Sequence, residues 1–283
     1  MSFPELRNKL FSGSPGLIEA LIMFVLIMVY MMYGGPLVNA LAGKAAMNVF
    51  TLGLAALPLL FSYDIKTVFS IKKASVNEIT GAMLLAAGMF LMTLMLSSLL
   101  TLFVPETERK DVPFLAYVAN GNILLVILSV AILPAFCEEI LFRGFILSGL
   151  KTAAGKKISI FLCALMFALM HLDPYRIPFT LAIGIGLSWA AWETGSLIIP
   201  IVMHGAHNLA LLLITRSVYL KPSDDLGTIL SGCISAARHT VVSEIGFWLS
   251  SFLLLACVVL LSLGLIISGI RFLKPKKYLK TSG

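Results

Sequence analysis

The sequence predicts an all-α, polytopic transmembrane helix bundle of about eight spans, with a polar site inside the membrane. Three observations carry that prediction. The chain is 59% hydrophobic and only 12% charged, with mean hydropathy +0.99. A soluble domain carries roughly 25% charged residues. Apolar runs long enough to cross a bilayer recur along the whole chain, separated by short polar joints. Three of those runs hold Glu, Arg or His beyond their first turn, although one charge at the bilayer centre costs at least ~2.5–3.5 kcal/mol on insertion scales.

The elements follow in order. Residues 1–16 are polar, and no small-residue cleavage site closes the first apolar run, so that run is expected to be a retained span. Runs at about 17–42, 45–63, 79–104, 122–148, 158–173, 177–192, 196–214 and 244–270 are the expected spans. Only "AGKAA" separates the first two. The fifth and sixth are short, as expected of re-entrant or broken helices buried in protein. The loop near 215–243 contains Ser, Gly and Asp and is long enough to re-enter in part. No repeat, low-complexity tract or soluble domain interrupts the pattern. Three regions follow: 1–120, helices without a motif; 121–214, a core carrying the polar clusters; and 215–283, a loop, the last span and a basic tail.

The net charge is +7. In a membrane protein this reads as topology, and no nucleic-acid partner is expected. With eight spans, thirteen cations share one side and seven the other, with Arg143 set aside as intramembrane. The positive-inside rule then places both termini in the cytoplasm, with the plasma membrane as the location if the host is prokaryotic. The tail "RFLKPKKYLK" either anchors the last helix at an anionic leaflet or only sets topology. The partner expected throughout is the lipid bilayer. Cys137, Cys163, Cys233 and Cys257 form no CxxC pair and read as small hydrophobes rather than a disulfide framework.

The chemistry lies in three clusters. In "PAFCEEILFRG", Glu138 and Glu139 are adjacent and point about 100° apart on a helix. Glu139 and Arg143 are i,i+4 and share a face. Their pairing leaves Glu138 as the spare carboxylate, aimed elsewhere and suited to act as a general base. Pro134, four residues before Glu138, removes a helix hydrogen bond and could open a pocket beside it. The bland alternative is an ion-paired cluster joining helices. In "FALMHLDPYR", His171 follows Phe167 by one turn in an apolar run. A hydrogen-bonded packing histidine is the alternative there, and Asp173 and Arg176 belong to the following loop. In "IIPIVMHGAHNLALLL", His204 and Asn208 share a face, His207 lies on a neighbouring direction, and Pro200 repeats the spacing of Pro134 to Glu138. All three clusters fall within ~10 Å of the midplane of a ~30 Å core, so one shared site is geometrically possible.

In this order the clusters resemble the CAAX-protease, abortive-infection or bacteriocin-processing (CPBP) intramembrane protease family, whose motifs are EExxxR, FxxxH and HxxxN. Here they read Glu138-Glu139-Ile-Leu-Phe-Arg143, Phe167-Ala-Leu-Met-His171 and His204-Gly-Ala-His207-Asn208. The likeness covers about 120–214, under half of the chain. It implies a peptidase acting on membrane-associated peptides or proteins, lipidated or carrying a leader. It implies that Glu138 activates water with help from His171, that His204 and Asn208 stabilise the oxyanion, and that Glu139 and Arg143 hold the site together. The role of His207 stays open.

The cofactor is also open. Glu138, His171 and His204 have the atoms for a three-ligand zinc site, yet there is no HExxH helix. The chemistry is therefore either metal-free or zinc-dependent. Two other classes compete. A transporter would also place Glu, His and Arg at mid-membrane, but would be expected to show inverted repeats. A non-catalytic membrane scaffold that regulates a partner would be expected to have lost some of the polar set.

Overall fold

A computed structural model describes residues 15–34, 70–100, 117–118, 120–220 and 244–273, apart from the side chains of 97–100, 218–220 and 244–255. The expected run at 45–63, residues 221–243 of the long loop, Cys233 and the basic tail beyond Leu273 lie outside the described residues. Among the described residues the regular structure is helical throughout, without a strand. This is the all-α bundle expected.

The helices are α1 (Leu17–Val29), widened into a π turn over Tyr30–Gly34, and α2 (Val76–Leu100). The third, α3, is one long rod from Ile123 to Ala153. Then follow α4 (Lys156–Leu169), α5 (Ile177–Thr194), α6 (Ile198–Leu220) and α7 (Glu244–Leu273). Among the described residues, five segments are long and apolar enough to cross a membrane: Leu17–Gly34, Val76–Leu96, Ile123–Ala153, Ile198–Ser217 and Ala256–Leu273. The α4 and α5 helices are the short fifth and sixth elements anticipated above.

Local chemistry sets the ends. Ser75 and Glu78 form a capping box at α2: Ser75 N donates to Glu78 Oε2 at 2.7 Å, and Glu78 N donates to Ser75 Oγ at 3.3 Å. Asn122 Oδ1 accepts from the amides of Leu124 and Leu125 at the head of α3. Gly195 closes α5 with φ 59°, a left-handed cap that favours glycine. Residues 70–72 strap the α5–α6 turn: Ser70 Oγ donates to Gly195 O at 2.6 Å, Leu197 N to Ser70 O at 3.0 Å, and Ser196 Oγ to Lys72 O at 3.0 Å.

Two prolines expected to act alike do not. Pro134 lies inside α3, at the junction of a π stretch (Ile127–Ile132) with an α stretch (Leu133–Glu139). The wider turn relieves the clash its ring would make one turn back. Pro200 sits in the first turn of α6, where amides have no helical acceptor and its missing N–H costs nothing. The spacing from Pro200 to His204 therefore marks a helix start, not a break.

The bundle packs in two groups. Met23 and Ile27 of α1 join Phe142, Ile146 and Leu147 of α3 and Phe167 of α4 in one buried cluster. Leu85 and Met89 of α2 join Leu187 of α5 and Ile199 and Met203 of α6 in another. The lysines gather at one end. Lys151 Nζ lies 4.9 Å over the Trp192 ring, Lys156 pairs with Glu193, and Lys72 Nζ lies over Gly195.

Candidate active site

Glu139, the second acid of the pair, is the buried centre of the arrangement. It is fully buried, and its Oε1 accepts from Arg143 Nη1 and from His204 Nδ1, each at 2.8 Å. The i,i+4 pairing expected within α3 is present. The bond to His204 was not foreseen, and it ties α3 to α6. Oε2 of Glu139 is buried with no hydrogen-bond partner.

Arg143 is held on every side. Nε donates to Ser188 Oγ at 3.3 Å and Nη2 to Gly184 O at 3.1 Å. Its guanidinium stacks 4.5 Å from the Phe167 ring centre. These contacts satisfy a buried cation that would otherwise be costly. Gly184 and Ser188 are residues that motif reading missed. Their signal was a small-residue pair one turn apart in "GIGLS". Gly184 brings α5 against α4 so closely that a Cβ there would lie 3.1 Å from Ala164 Cα.

Glu138 has a different setting. Its side chain is 18% exposed, and Oε2 lies 3.8 Å from His204 Nε2, too far for a hydrogen bond. Glu138 and Glu139 thus address opposite nitrogens of one imidazole. An arginine-paired Glu139 can only accept, so Nδ1 of His204 donates and Nε2 is the nitrogen presented to Glu138.

His171 differs from expectation in one respect. The α4 helix ends at Leu169, and His171 lies in the turn just beyond it, not within a helix. The Phe-to-His relation still holds. Nδ1 contacts Phe167 O at 2.9 Å. A carbonyl only accepts, so Nδ1 carries the hydrogen and Nε2 carries the lone pair of the neutral ring. The Phe167 ring meets His171 edge-on at 5.2 Å and His204 at 5.6 Å. It contacts both histidines in edge-on geometry.

His207 and Asn208 lie one turn further along α6. His207 is buried, its ring 5.3 Å from that of Phe90 on α2, and its Nδ1 has no hydrogen-bond partner. It faces α2 rather than the glutamates. Asn208 is half-buried on the face of His204.

Among the described residues, no three His, Cys, Asp or Glu side chains are grouped so as to hold a metal ion. Glu138, His171 and His204, the expected zinc candidates, are not gathered as a ligand set among the described residues. These positions do not fit a three-ligand centre. Cys137 and Cys163 are buried free thiols, and Cys257 is exposed.

Residues 120–210 match the family model Rce1-like, described as type II CAAX prenyl endopeptidase Rce1-like. This is the family that the motifs resembled. The match supports a CAAX-type intramembrane endopeptidase at the level of the family, and the apolar helices make the chain a multi-pass membrane protein. No curated protein and no solved structure matches the chain. The Rce1-like segment includes Glu138, Glu139, Arg143, Phe167, His171, His204, His207 and Asn208, together with Gly184 and Ser188, which hold Arg143.

Proposed function

We propose that the chain is an intramembrane glutamate endopeptidase whose catalytic core is 121–214. Glu138 takes the proton of an attacking water, and His171, with its Nε2 lone pair free, assists. His204 and Asn208 donate to the oxyanion of the tetrahedral intermediate. Glu139 and Arg143 position His204 and touch no substrate. The observation that carries this reading is the unequal setting of the two acids. Glu139 is buried and doubly bonded, whereas Glu138 is partly exposed and faces a nitrogen 3.8 Å away.

The proton inventory agrees with those roles. Nε2 of a neutral His204 would turn a lone pair toward Glu138, which is unfavourable against an ionised carboxylate. One proton held between the two groups relieves this. With it on Nε2, His204 is an imidazolium flanked by two carboxylates and is a strong donor to a developing oxyanion. Both termini and the lysine-rich end lie in the cytoplasm, by the positive-inside rule.

The test uses purified protein in detergent and a panel of quenched peptides, with and without a lipid group. Glu138→Gln and His204→Ala are run beside the parent, each with and without a zinc chelator. Cleavage that disappears in both variants and survives chelation is the expected result. Cleavage lost on chelation and restored by zinc refutes the metal-free chemistry. Failure of the parent to cleave any peptide, at normal yield and stability, turns the reading toward a scaffold.

A further inference from the structure

The α4–α5 hairpin is shorter than the helices around it. The 14 residues of α4 and 18 of α5 rise ~21 and ~27 Å, whereas the 25 of α2 and 23 of α6 rise ~37 and ~34 Å. All four have one end at the lysine-rich face, where the 70–75 strap joins α2 to the α5–α6 turn and Lys156 opens α4. Taken along α5, the turn between α4 and α5 is therefore recessed by ~7–10 Å from the far ends of α6 and α2, within the depth of a ~30 Å core.

That turn is irregular and polar. Leu172 has φ 53°. Tyr175 N donates to Asp173 Oδ1 at 2.9 Å, and Arg176 Nε pairs with Asp173 Oδ2 at 3.1 Å. The Arg176 and Asp173 side chains are 40% and 36% exposed. Non-helical backbone persists at membrane depth only where protein buries it or where it lines water. Among the described residues, protein leaves this turn partly exposed. It also carries His171, which reaches the site through Phe167.

We propose that the space over the α4–α5 turn is a water-filled vestibule that opens at the end opposite the lysines, and that peptide reaches Glu138 through it from the extracytoplasmic side. Sidedness follows from charge. Lys72, Lys73, Lys151, Lys156 and Lys157 sit at the closed end, against Arg176 and Arg216 at the open one. The positive-inside rule makes the closed end cytoplasmic. The substrate class narrows accordingly, to exported peptides or outer segments of membrane proteins rather than cytosolic prenylated C-termini. The peptide half of this inference rests on the peptidase reading; the vestibule does not.

Single cysteines report the vestibule without any turnover. In a background with Cys137, Cys163, Cys233 and Cys257 replaced by Ser, Pro174→Cys and Tyr175→Cys probe the turn, and Lys157→Cys probes the lysine end. Intact cells are treated with a membrane-impermeant maleimide. Both turn positions should be labelled at least tenfold faster than Lys157→Cys, which should react only after permeabilisation. Labelling of the turn only after permeabilisation, or in neither condition, overturns the vestibule; two positions guard against one misfolded variant, and melting in detergent verifies each. For the peptide half, a bulky polyethylene-glycol maleimide on Pro174→Cys should cut cleavage at least tenfold, and the same adduct on Lys157→Cys less than twofold. Equal cleavage after both adducts refutes the peptide route. A labelled turn in a protein that cleaves nothing leaves the vestibule standing and sinks the peptidase reading.

Discussion

Two interfaces of this bundle are built from opposite materials. Where α2 meets α7, the contact is backbone against backbone. A Cβ added to Gly88 would lie 2.8 Å from Ser262 O, and one added to Gly269 would lie 2.6 Å from Leu85 N. Ser262 Oγ donates to Gly88 O at 2.7 Å. Where α3, α5 and α6 meet, the contact is a buried ion network of Glu139, Arg143, His204 and Ser188. Lipid supplies no hydrophobic drive between helices, so association relies on close packing or on polar bonds. The first interface uses packing, with one polar bond added. The second needs a buried charge, which is weak evidence for a stability role because its desolvation offsets most of the attraction. It is understandable if the charge serves to aim His204.

The sharpest way to break that contrast is to remove one charge. Arg143→Met strips the guanidinium from buried Glu139 and leaves it only the bond from His204. Such changes cost about 3–5 kcal/mol. The variant should melt far below the parent in detergent and show no cleavage. Glu138→Gln should separate the two properties: melting near the parent, with cleavage down ~10²–10⁴-fold, the usual worth of a general base. If Glu138→Gln melts as low as Arg143→Met, the two acids share one structural task and their division of labour fails.

A smaller effect tests the packing interface. Gly88→Ala drives a methyl into the backbone of α7, so α2 and α7 must separate. Overpacking of this kind costs typically ~1–3 kcal/mol. Melting should fall, while KM and kcat of the protein that remains folded should stay within twofold. A selective fall in kcat would show that α2–α7 spacing reaches the site, with Phe90 against His207 as the connection.

The same contrast explains what could be read from the chain. Glu138, Glu139, Arg143, His171 and His204 were legible because an ionisable residue in an apolar run is chemically rare and calls for an explanation. The Glu139–Arg143 pair followed from helical spacing alone. Helix spacing says nothing about partners on other helices, so the bond from His204 to Glu139 and the anchoring of Arg143 by Gly184 and Ser188 were not visible. Gly88 and Gly269 were invisible for a related reason: glycine is frequent in membrane helices, and only the facing helix reveals a close approach. His171 was expected within the helix because Met170 and Leu172 prolong the apolar run past Leu169, where the helix ends. Pro200 was misread because a proline spacing does not tell a helix start from a kink. The short α4 and α5 runs, in contrast, were visible from length.

The mildest change tests how far the ion network governs catalysis rather than folding. Ser188 accepts one bond from Arg143 at 3.3 Å, at the long end of the range, and three stronger restraints remain: Glu139, Gly184 O and the Phe167 ring. Ser188→Ala deletes an acceptor and leaves one buried N–H of a cation unpaired, a loss of about 1–3 kcal/mol. If the guanidinium only fills space, melting falls and kcat does not. If it aims Glu139, and through it the His204 ring, a small tilt weakens the oxyanion contact, where one donor is worth ~10²–10³-fold in kcat. A part of that, three- to tenfold in kcat with KM unchanged, is the expected result. Ser188→Thr, which keeps the hydroxyl, should restore the rate if the added methyl is tolerated beside Arg143. Loss of melting temperature alone, with kcat intact in both variants, would reduce the network to an internal clamp and leave the orientation of His204 to Phe167.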